Sequence, residues 1–413
     1  MGYGKTGQSM LVKVGFMIPF AKPMLGEEEV EATARVIRSG WVTAGPEVQL
    51  FEREFAAYTG AQYACAVSNC TTALHLAMKA LGLKAGDEVI TVSHSFIATA
   101  NCIRYLGAIP VFVDIEPLTF NIDPTRIERV ITSRTRAILC VHQLGMPCDL
   151  KAILDIASRY RLKVVEDAAP AVGSEILWDG DWHKIGRPHA DIACFSFQAR
   201  KTITTGDGGM LTTNNPELDR MFRRWRHHGC DLPDAARHAM KTVQFEEYSE
   251  VGYNYRLTDI QAAIGRVQLQ RLPSIVRRRR ELARRYCELL SQIPGVGLPV
   301  EPTWARSNWQ SFCIMLPEGV DQLKVMQFML DHGVAARRGV HTSHMEKAYL
   351  DEPWLCGEDR SHCGCPHLSC GRLIESERGR LNGLLLPIFA ELSDAEQDKV
   401  LQCLADAIAA TAG

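Results

Sequence analysis

The middle of the chain alternates short β-rich runs with helical patterns, and this alternation constrains the fold more than any other feature. Residues 88–92 (EVITV) read as a buried strand, whereas residues 71–82 place apolar side chains on one face of a helix. The alternation predicts a mostly parallel sheet with helices on both faces. Further strands are predicted at 64–67, 110–114, 137–141, 163–167, 190–197 and 209–213, and further helices at 96–106 and 150–160.

The C-terminal third has a different organisation. Residues 258–290 form a long basic helical pattern that contains four consecutive arginines, 277–280. Such a run on a helix is most often a solvated face. The helix is expected to lead into a smaller α/β domain with a strand at 311–316 and a capped helix at 393–409. The sequence thus predicts a flexible extension at 1–16, a large domain at 17–257 and a small domain at 258–413.

The overall charge and hydropathy exclude several classes of partner. The 413 residues carry a formal net charge of −2, so no global field favours nucleic acid. No apolar run reaches the length of a membrane span, and the N-terminus lacks the features of a signal peptide. Most of the fourteen cysteines lie within apolar strand or helix patterns, as buried thiols do in a reducing compartment. We therefore expect a cytoplasmic protein that binds neither nucleic acid nor membrane.

One group of cysteines and histidines departs from this pattern. Thiols and imidazoles at this density can bind zinc, but their spacing matches no standard zinc motif. They also lie in an insert interrupted by glycine and proline, which favours a cysteine-rich loop. We predict no metal, with zinc as the open alternative. The group consists of Cys356, His362, Cys363, Cys365, His367 and Cys370.

Chemically active side chains follow several of the predicted strands. In an open α/β sheet, ligands bind beyond the carboxyl ends of the strands. An aromatic ring, a carboxylate, a hydroxyl and an amine should therefore meet at one edge of this sheet. These side chains belong to Phe96, Asp167, Ser196 and Lys201, with His142 and Glu166 beside them.

This set matches what pyridoxal phosphate (PLP) requires. The cofactor needs a lysine to hold its aldehyde and an acid against its pyridine nitrogen. Lys201 and Asp167 can meet those needs, although Asp167 alone could equally cap a helix or a turn. The phosphate needs donors, and residues 68–74 enter a helix whose first N–H groups lack backbone partners. Thr71 and Ser196 could add hydroxyl donors, while an ordinary N-cap explains residues 68–74 equally well.

Seven segments, in this order, carry a resemblance to a known family. Together they resemble the DegT/DnrJ/EryC1/StrS family of PLP-dependent sugar aminotransferases, over nearly the whole chain from about residue 18. The resemblance implies the fold type I architecture, with a large PLP-binding domain and a smaller C-terminal α/β domain. The segments are GWVTAGP at 40–46, SNCTTAL at 68–74, GAIPVFVD at 107–114, EDAA at 166–169, FSFQARK at 195–201, TTGDGG at 204–209 and GYNYRLTD at 252–259.

The resemblance assigns a role to each matching position. Lys201 would form the internal aldimine with PLP, and Asp167 would pair with the pyridine nitrogen. Phe96 lies where the family places an aromatic ring stacked on the cofactor. Asn254 matches an asparagine that reaches the phosphate in the neighbouring subunit, which implies a homodimer with shared active sites. The phosphate-binding positions match Thr71, Thr72 and Ser196.

Two positions depart from the family pattern. Three residues after the aspartate the family often has Gln or His, and here Pro170 offers no side-chain donor. Two residues after the serine of the lysine motif the family often has His, and here Gln198 stands there. Both departures indicate a divergent branch of the family.

The resemblance implies transfer of an amino group from L-glutamate or glutamine, through pyridoxamine phosphate, to a keto-sugar, and favours a nucleotide-linked one. A keto-cyclitol acceptor is the near alternative. Candidate substrate contacts are His228, Arg337 and His341, since their side chains suit anionic or hydroxylated ligands. A PLP-dependent sugar dehydratase and a non-catalytic regulator on the same fold are further alternatives. Lys201 argues against the dehydratase, because the branches that we compare have histidine at that position.

Overall fold

A central sheet and two smaller sheets organise the computed structural model, which describes residues 17–231, 245–356 and 369–411. The predicted extension at 1–16 lies outside these residues. The strands are β1 Tyr63–Val67, β2 Glu88–Val92, β3 Ile109–Val113, β4 Thr135–Val141, β5 Lys163–Asp167, β6 Glu175–Trp178, β7 Asp181–Lys184, β8 Ile192–Ser196, β9 Gly209–Thr213, β10 Ala305–Arg306, β11 Phe312–Met315, β12 Arg337–Arg338, β13 Leu355–Cys356 and β14 Gly383–Leu386.

The central sheet has eight strands in the order β1-β9-β8-β5-β4-β2-β3-β13. Only β9 runs antiparallel to its neighbours in this sheet, and the other pairs are parallel. This arrangement confirms the predicted α/β class with a mostly parallel sheet. The edge strand β13 comes from the C-terminal part of the chain and pairs with β3.

Helices begin where the sequence provides caps. Asn69 accepts a hydrogen bond from the Thr72 N–H at 2.9 Å, and the Thr258 hydroxyl accepts one from the Gln261 N–H. Such caps satisfy N–H groups that have no partner within the helix. The helices are α1 Glu27–Ser39, α2 Pro46–Thr59, α3 Cys70–Ala80, α4 Ala98–Arg104, α5 Leu150–Tyr160, α6 Pro216–Trp225, α7 Asp259–Leu290, α8 Gln322–Asp331, α9 Ile374–Asn382 and α10 Asp394–Thr411.

Each face of the central sheet is buried under helices. Along β4, Ile138 and Cys140 face a core that includes residues of α2, α5 and α7, whereas Ala137 and Leu139 face one that includes residues of α3, α4 and α6. Successive side chains of a strand point to opposite faces, so a strand covered on both sides is apolar throughout. The continuous apolar runs that predicted these strands have this cause.

The C-terminal region has its own core around the antiparallel sheet β11-β14-β12. Helix α7 contributes to two cores, because Leu272 packs into the large core and Tyr286 packs into the C-terminal one. The predicted boundary at residue 258 falls on the N-cap of this shared helix. The division into two domains stays a prediction.

The predicted solvated face at residues 277–280 is wrong in part. Arg279 is buried and donates hydrogen bonds to the carbonyl oxygens of Trp309, Gln310 and Ile388. Arginine carries five N–H donors, so one buried guanidinium can satisfy several loop carbonyls at once. This run of arginines therefore joins α7 to neighbouring loops. Among the described helices, none is both long enough and apolar enough to cross a lipid bilayer.

Candidate active site

Parallel strands deliver the predicted side chains to one edge of the central sheet. Val141 at the end of β4 is paired with Asp167 at the end of β5, and Asp167 is paired with Cys194 of β8. The N–H of His142 donates to the carbonyl of Asp167 at 3.1 Å. The carboxyl ends of these strands therefore converge, and the expectation that Asp167 and Ser196 lie at one edge holds in the structure.

Asp167 is buried, and both of its carboxylate oxygens accept hydrogen bonds. Thr99 Oγ1 donates to Oδ2 at 2.7 Å, and the Ala169 N–H donates to Oδ1 at 3.2 Å. Burial raises the pKa of Asp167, and the bond from Thr99 opposes that rise. A buried carboxylate gains most from a cationic partner, and a protonated pyridine nitrogen is such a partner.

Lys201 follows β8 in a tight turn that returns to β9. Its N–H donates to the carbonyl of Gln198 at 2.8 Å. Burial lowers the pKa of Lys201, while the nearby Cys70 and Asp167 act to raise it. The net lowering increases the neutral fraction of the amine, which is the form that attacks a carbonyl and accepts a proton.

The first turn of α3 presents backbone N–H groups and side-chain hydroxyls close to the start of β9. Gly209 approaches so closely that an added Cβ would lie 2.5 Å from the carbonyl oxygen of Asn69, so a side chain there would collide with the backbone. Because Gly209 is paired with Ser196, this approach brings Ser196 beside the start of α3. A helix N-terminus with nearby hydroxyls suits a phosphate. Thr71 lies in this turn, and Thr72 Oγ1 already donates to Asn69 O at 2.7 Å.

Phe96 stands at the turn after β2 with 60% of its surface exposed. Its carbonyl accepts a hydrogen bond from the Thr99 N–H at 3.0 Å, which ties it to the segment that supports Asp167. His341 meets the ring of Phe96 edge-on, with 6.3 Å between centroids. An exposed aromatic face close to the buried carboxylate fits a ring stacked on the cofactor, and His341 lies near it.

The remaining predicted site residues, Arg337, His228 and Asn254, lie in two separate regions. Arg337 lies over the ring of Phe20 at 5.2 Å and lines a cavity together with Arg200. His228 is exposed, and its neighbour His227 forms a backbone bridge with the exposed Asn254. Within the described part of the chain, no hydrogen bond or ion pair joins His228 or Asn254 to Lys201 or Asp167.

Thr99 and Asn308 support the site, although sequence reasoning missed both. The Asn308 side chain is buried and donates to the carbonyls of Pro170 and Val172 and to the hydroxyl of Thr202. It therefore joins the turn after Asp167 to the residue after Lys201. The only sequence signal for Thr99 was its place one helical turn after Phe96, and for Asn308 there was none.

The two residues that depart from the family pattern, Pro170 and Gln198, each form a hydrogen bond near the site. Pro170 contributes its carbonyl oxygen to Asn308. Gln198 Oε1 accepts a hydrogen bond from the Arg200 N–H at 2.9 Å, which stabilises the turn that precedes Lys201.

The cysteine and histidine group is described only at its two ends. Cys356 and Cys370 are buried, with 3.4 Å between their sulfur atoms. His362, Cys363, Cys365 and His367 lie outside the described residues. Within the described ranges, no three His, Cys, Asp or Glu side chains are arranged to hold a metal ion.

A lysine and a buried carboxylate at one edge of an α/β sheet match what PLP requires of a protein. The chain is a PLP-dependent aminotransferase. The chain belongs to the DegT/DnrJ/EryC1/StrS aminotransferase family, whose sequence model matches residues 23–405. The predicted family, fold class, enzyme class and cofactor are thereby confirmed.

Several individual relatives cover almost the whole chain. SpsC of Bacillus subtilis strain 168, a spore coat polysaccharide biosynthesis protein, is 35% identical over 403 residues, which are 97% of this chain and 99% of SpsC. The aminotransferase TlmJ of Streptoalloteichus hindustanus is 33% identical with a TM-score of 0.83, over 95% of this chain and 99% of TlmJ. Spr1654 of Streptococcus pneumoniae, solved in a PMP form, is 26% identical with a TM-score of 0.85, over 95% and 100% of the two chains.

Proposed function

We propose that this enzyme transfers an amino group from L-glutamate or glutamine to a keto-sugar, most simply one linked to a nucleotide. The observation that carries the proposal is the position of the buried Asp167 at the end of β5, next to β8 and the turn after it that carries Lys201, with the start of α3 close by. The sugar class is supported by SpsC, whose name places it in polysaccharide biosynthesis.

Each residue of the site has a distinct task in this reaction. PLP, when bound, supplies an electrophilic carbon and a ring that withdraws electrons from the substrate's α-carbon. Asp167 holds a positive charge at the pyridine nitrogen. Lys201 anchors the cofactor covalently and, once released, moves a proton from the substrate's α-carbon as general base and acid. Phe96 covers one face of the ring and excludes water.

In this proposal, the phosphate of the cofactor binds at the start of α3. The unpaired first N–H groups of the helix and the hydroxyls of Thr71, Thr72 and Ser196 are the donors in this proposal. Thr72 contributes through the cap that it forms with Asn69, which fixes the direction of the first helical turn. Substrate recognition is assigned to Arg337, which lines a cavity with Arg200, and to His341, which meets the ring of Phe96 edge-on.

Asn254 and His228 act, in this proposal, at the active site of a second subunit. Both are exposed and lie side by side through the bridge between Asn254 and His227. No described residue forms a hydrogen bond with the Asn254 side chain, so its amide remains available to a partner. A homodimer with shared active sites would use this surface. We place the enzyme in the cytoplasm, where L-glutamate and nucleotide-linked sugars are available.

The proposal is tested by supplying the purified holoenzyme with L-glutamate and a panel of nucleotide-linked keto-sugars and keto-cyclitols. The expected result is 2-oxoglutarate together with an amino-sugar whose mass identifies the acceptor. Amination confined to keto-cyclitols would replace the acceptor class. Loss of a hydroxyl group without amination would identify a dehydratase, and a chain that binds no PLP would identify a regulator.

A further inference from the structure

We propose that Cys356 and Cys370 form a redox-sensitive modification site, at which a peroxide converts the two thiols into a disulfide and thereby weakens the binding of PLP. The inference goes beyond the proposed function, since it concerns a covalent change of the protein and depends on neither the amino donor nor the acceptor. It rests on the geometry of the two cysteines and on hydrogen bonds that lead from Cys370 to the turn of Phe96.

The two sulfur atoms are neighbours in the structure. Cys356 ends the edge strand β13, Cys370 lies just before helix α9, and each has about 1% of its surface exposed. The Cys370 thiol donates to Cys356 Sγ at 3.4 Å, and no disulfide joins the two residues. The sulfurs of a disulfide are about 2.05 Å apart, so an approach of roughly 1.3 Å would allow the bond to form.

Strand β3 anchors both cysteines and keeps the pair together. Strand β13 pairs with β3 directly. The start of α9 is held by Asp114, the residue after β3, whose carboxylate accepts hydrogen bonds from the N–H groups of Glu375 and Ser376 at 2.9 and 2.8 Å. The Arg372 guanidinium also donates to the Cys356 carbonyl at 2.9 Å. Separate attachments to one strand therefore fix both thiols, and a disulfide can form without rearrangement of the sheet.

Oxidation of the pair by hydrogen peroxide proceeds in two balanced steps. One thiolate attacks a peroxide oxygen and becomes a sulfenic acid, with release of one water. The second thiol attacks the sulfenic sulfur, the S–S bond forms and a second water leaves. A dithiol reverses the change by thiol–disulfide exchange. Because β13 is a two-residue strand at the edge of the central sheet, a local opening exposes the pair to a small oxidant more readily than an opening of the central strands would.

A series of hydrogen bonds leads from Cys370 toward the cofactor site. The Cys370 N–H donates to the Glu377 carboxylate, which also accepts a hydrogen bond from His344 Nε2 at 3.2 Å. His344 Nδ1 is then left to accept from the Ser93 hydroxyl at 2.6 Å. Ser93 directly follows β2 and lies three residues before Phe96. A displacement of Cys370 is therefore transmitted to the turn that carries the ring proposed to stack on PLP.

The first test maps the disulfide. The holoenzyme is treated with hydrogen peroxide, alkylated with N-ethylmaleimide and digested with trypsin, which cleaves after lysine and arginine. Cleavage places Cys356 in the peptide 348–360 and Cys370 in the peptide 361–372. We expect mass spectrometry to find these peptides joined by one disulfide, with the other two cysteines of the second peptide alkylated. Dithiothreitol added before alkylation should separate them.

The second test measures the effect on the cofactor, as the dissociation constant of PLP determined from its release when the holoenzyme is diluted. Oxidation should raise this constant about fivefold, the factor that loss of one hydrogen bond typically carries, and dithiothreitol should restore it. Cys356→Ala and Cys370→Ala should each remove the response to peroxide. The matched control is Cys403→Ala, which should respond as the wild type does, because Cys403 is buried in the C-terminal core apart from the pair.

Other outcomes would overturn the inference. No link between the two peptides after peroxide treatment, or a link through Cys363 or Cys365 instead of Cys370, would contradict the site. A disulfide that leaves the dissociation constant of PLP unchanged would contradict the effect on the cofactor. One zinc ion retained per chain, with thiols that react only after a chelator removes it, would assign the pair to a metal instead. Neither test requires turnover, so failure here is distinct from a holoenzyme that does not convert L-glutamate, which would contradict the proposed function.

Discussion

At the scale of single residues, a hydrogen bond from Thr99 stabilises the ionised carboxylate of Asp167. Thr99 Oγ1 donates to Asp167 Oδ2 and itself lies 2.7 Å from Ser95 Oγ, so three polar side chains form a buried chain of hydrogen bonds. A buried carboxylate without such donors is costly and tends to be neutral. The hydrogen bond from Thr99 therefore favours the ionised form of Asp167.

Replacing Thr99 with valine keeps the shape of the side chain and removes the donor. The bond lowers the pKa of Asp167, so its loss should raise that pKa further. The pH below which PLP binding weakens should then move upward, and the dissociation constant at neutral pH should rise about tenfold. Absorbance titrations with PLP between pH 5 and pH 8 measure both effects.

Thr91→Val is the matched control, since Thr91 is buried and donates to the Leu139 carbonyl at 2.7 Å without touching Asp167. Its cofactor titration should follow that of the wild type. An unchanged affinity and an unchanged acidic midpoint in Thr99→Val would show that Thr99 does not support the aspartate.

The positions of Asp167 and Lys201, the proposed catalytic pair, were predictable from sequence because buried apolar runs show where the strands end. Buried apolar runs fix the ends of β5 and β8, and polar residues just beyond them must lie at the ligand-binding edge. Thr99 lies on a helix and Asn308 in an irregular segment more than a hundred residues from the turns that it joins. Contacts over such distances leave no periodic signal in one sequence.

At the scale of elements, local patterns predicted the bounds well and the pairings poorly. The bounds of β2, β5, β9 and α5 match those predicted, because each is a short apolar run or an amphipathic repeat between clear breaks. The antiparallel direction of β9 and the parallel addition of β13 to β3 were not predicted. Which strands pair depends on long-range packing that no local window contains.

The segments around the site depend on Asn308, which suggests a test of their stability. Asn308→Leu keeps a similar volume but leaves two buried carbonyls and one hydroxyl without their donor. Each such loss costs roughly 1–3 kcal/mol, so the free energy of unfolding should fall by about 3–5 kcal/mol. Urea denaturation of the holoenzyme measures the change.

Asn215→Leu serves as its control. The Asn215 side chain accepts a hydrogen bond from the Glu217 N–H at the exposed start of α6, and losing a helix cap costs about 1 kcal/mol. A decrease below 1 kcal/mol in Asn308→Leu would mean that the turns after Asp167 and Lys201 hold their positions without this residue.

At the scale of the whole molecule, the proposed dimer makes each active site a product of two chains. Lys201→Ala should inactivate its own site, and Asn254→Asp should impair its neighbour's site by bringing a carboxylate to the phosphate. Mixing the two variants after mild dissociation should form hybrids with one intact site. Random pairing then predicts recovery of about a quarter of wild-type activity.

The recovery is measured as 2-oxoglutarate formation from L-glutamate after remixing. Its controls are each variant remixed with itself, which should stay inactive or impaired. If Asn254 acted within its own chain, no hybrid would contain an intact site and mixing would restore nothing. The sequence could suggest active sites shared between subunits only through the family resemblance, because contacts between two chains leave no recognisable pattern in one sequence.

The central claim, that Lys201 holds PLP covalently, has one direct measurement. The holoenzyme is reduced with borohydride, digested, and its peptides are mapped by mass. We predict a phosphopyridoxyl group on Lys201 in the wild type. The control variant Lys163→Ala, which removes an exposed lysine at the start of β5, should carry the same label on Lys201. Lys201→Ala should carry no label and should not convert L-glutamate. A label on another lysine, or normal turnover by Lys201→Ala, would contradict the account.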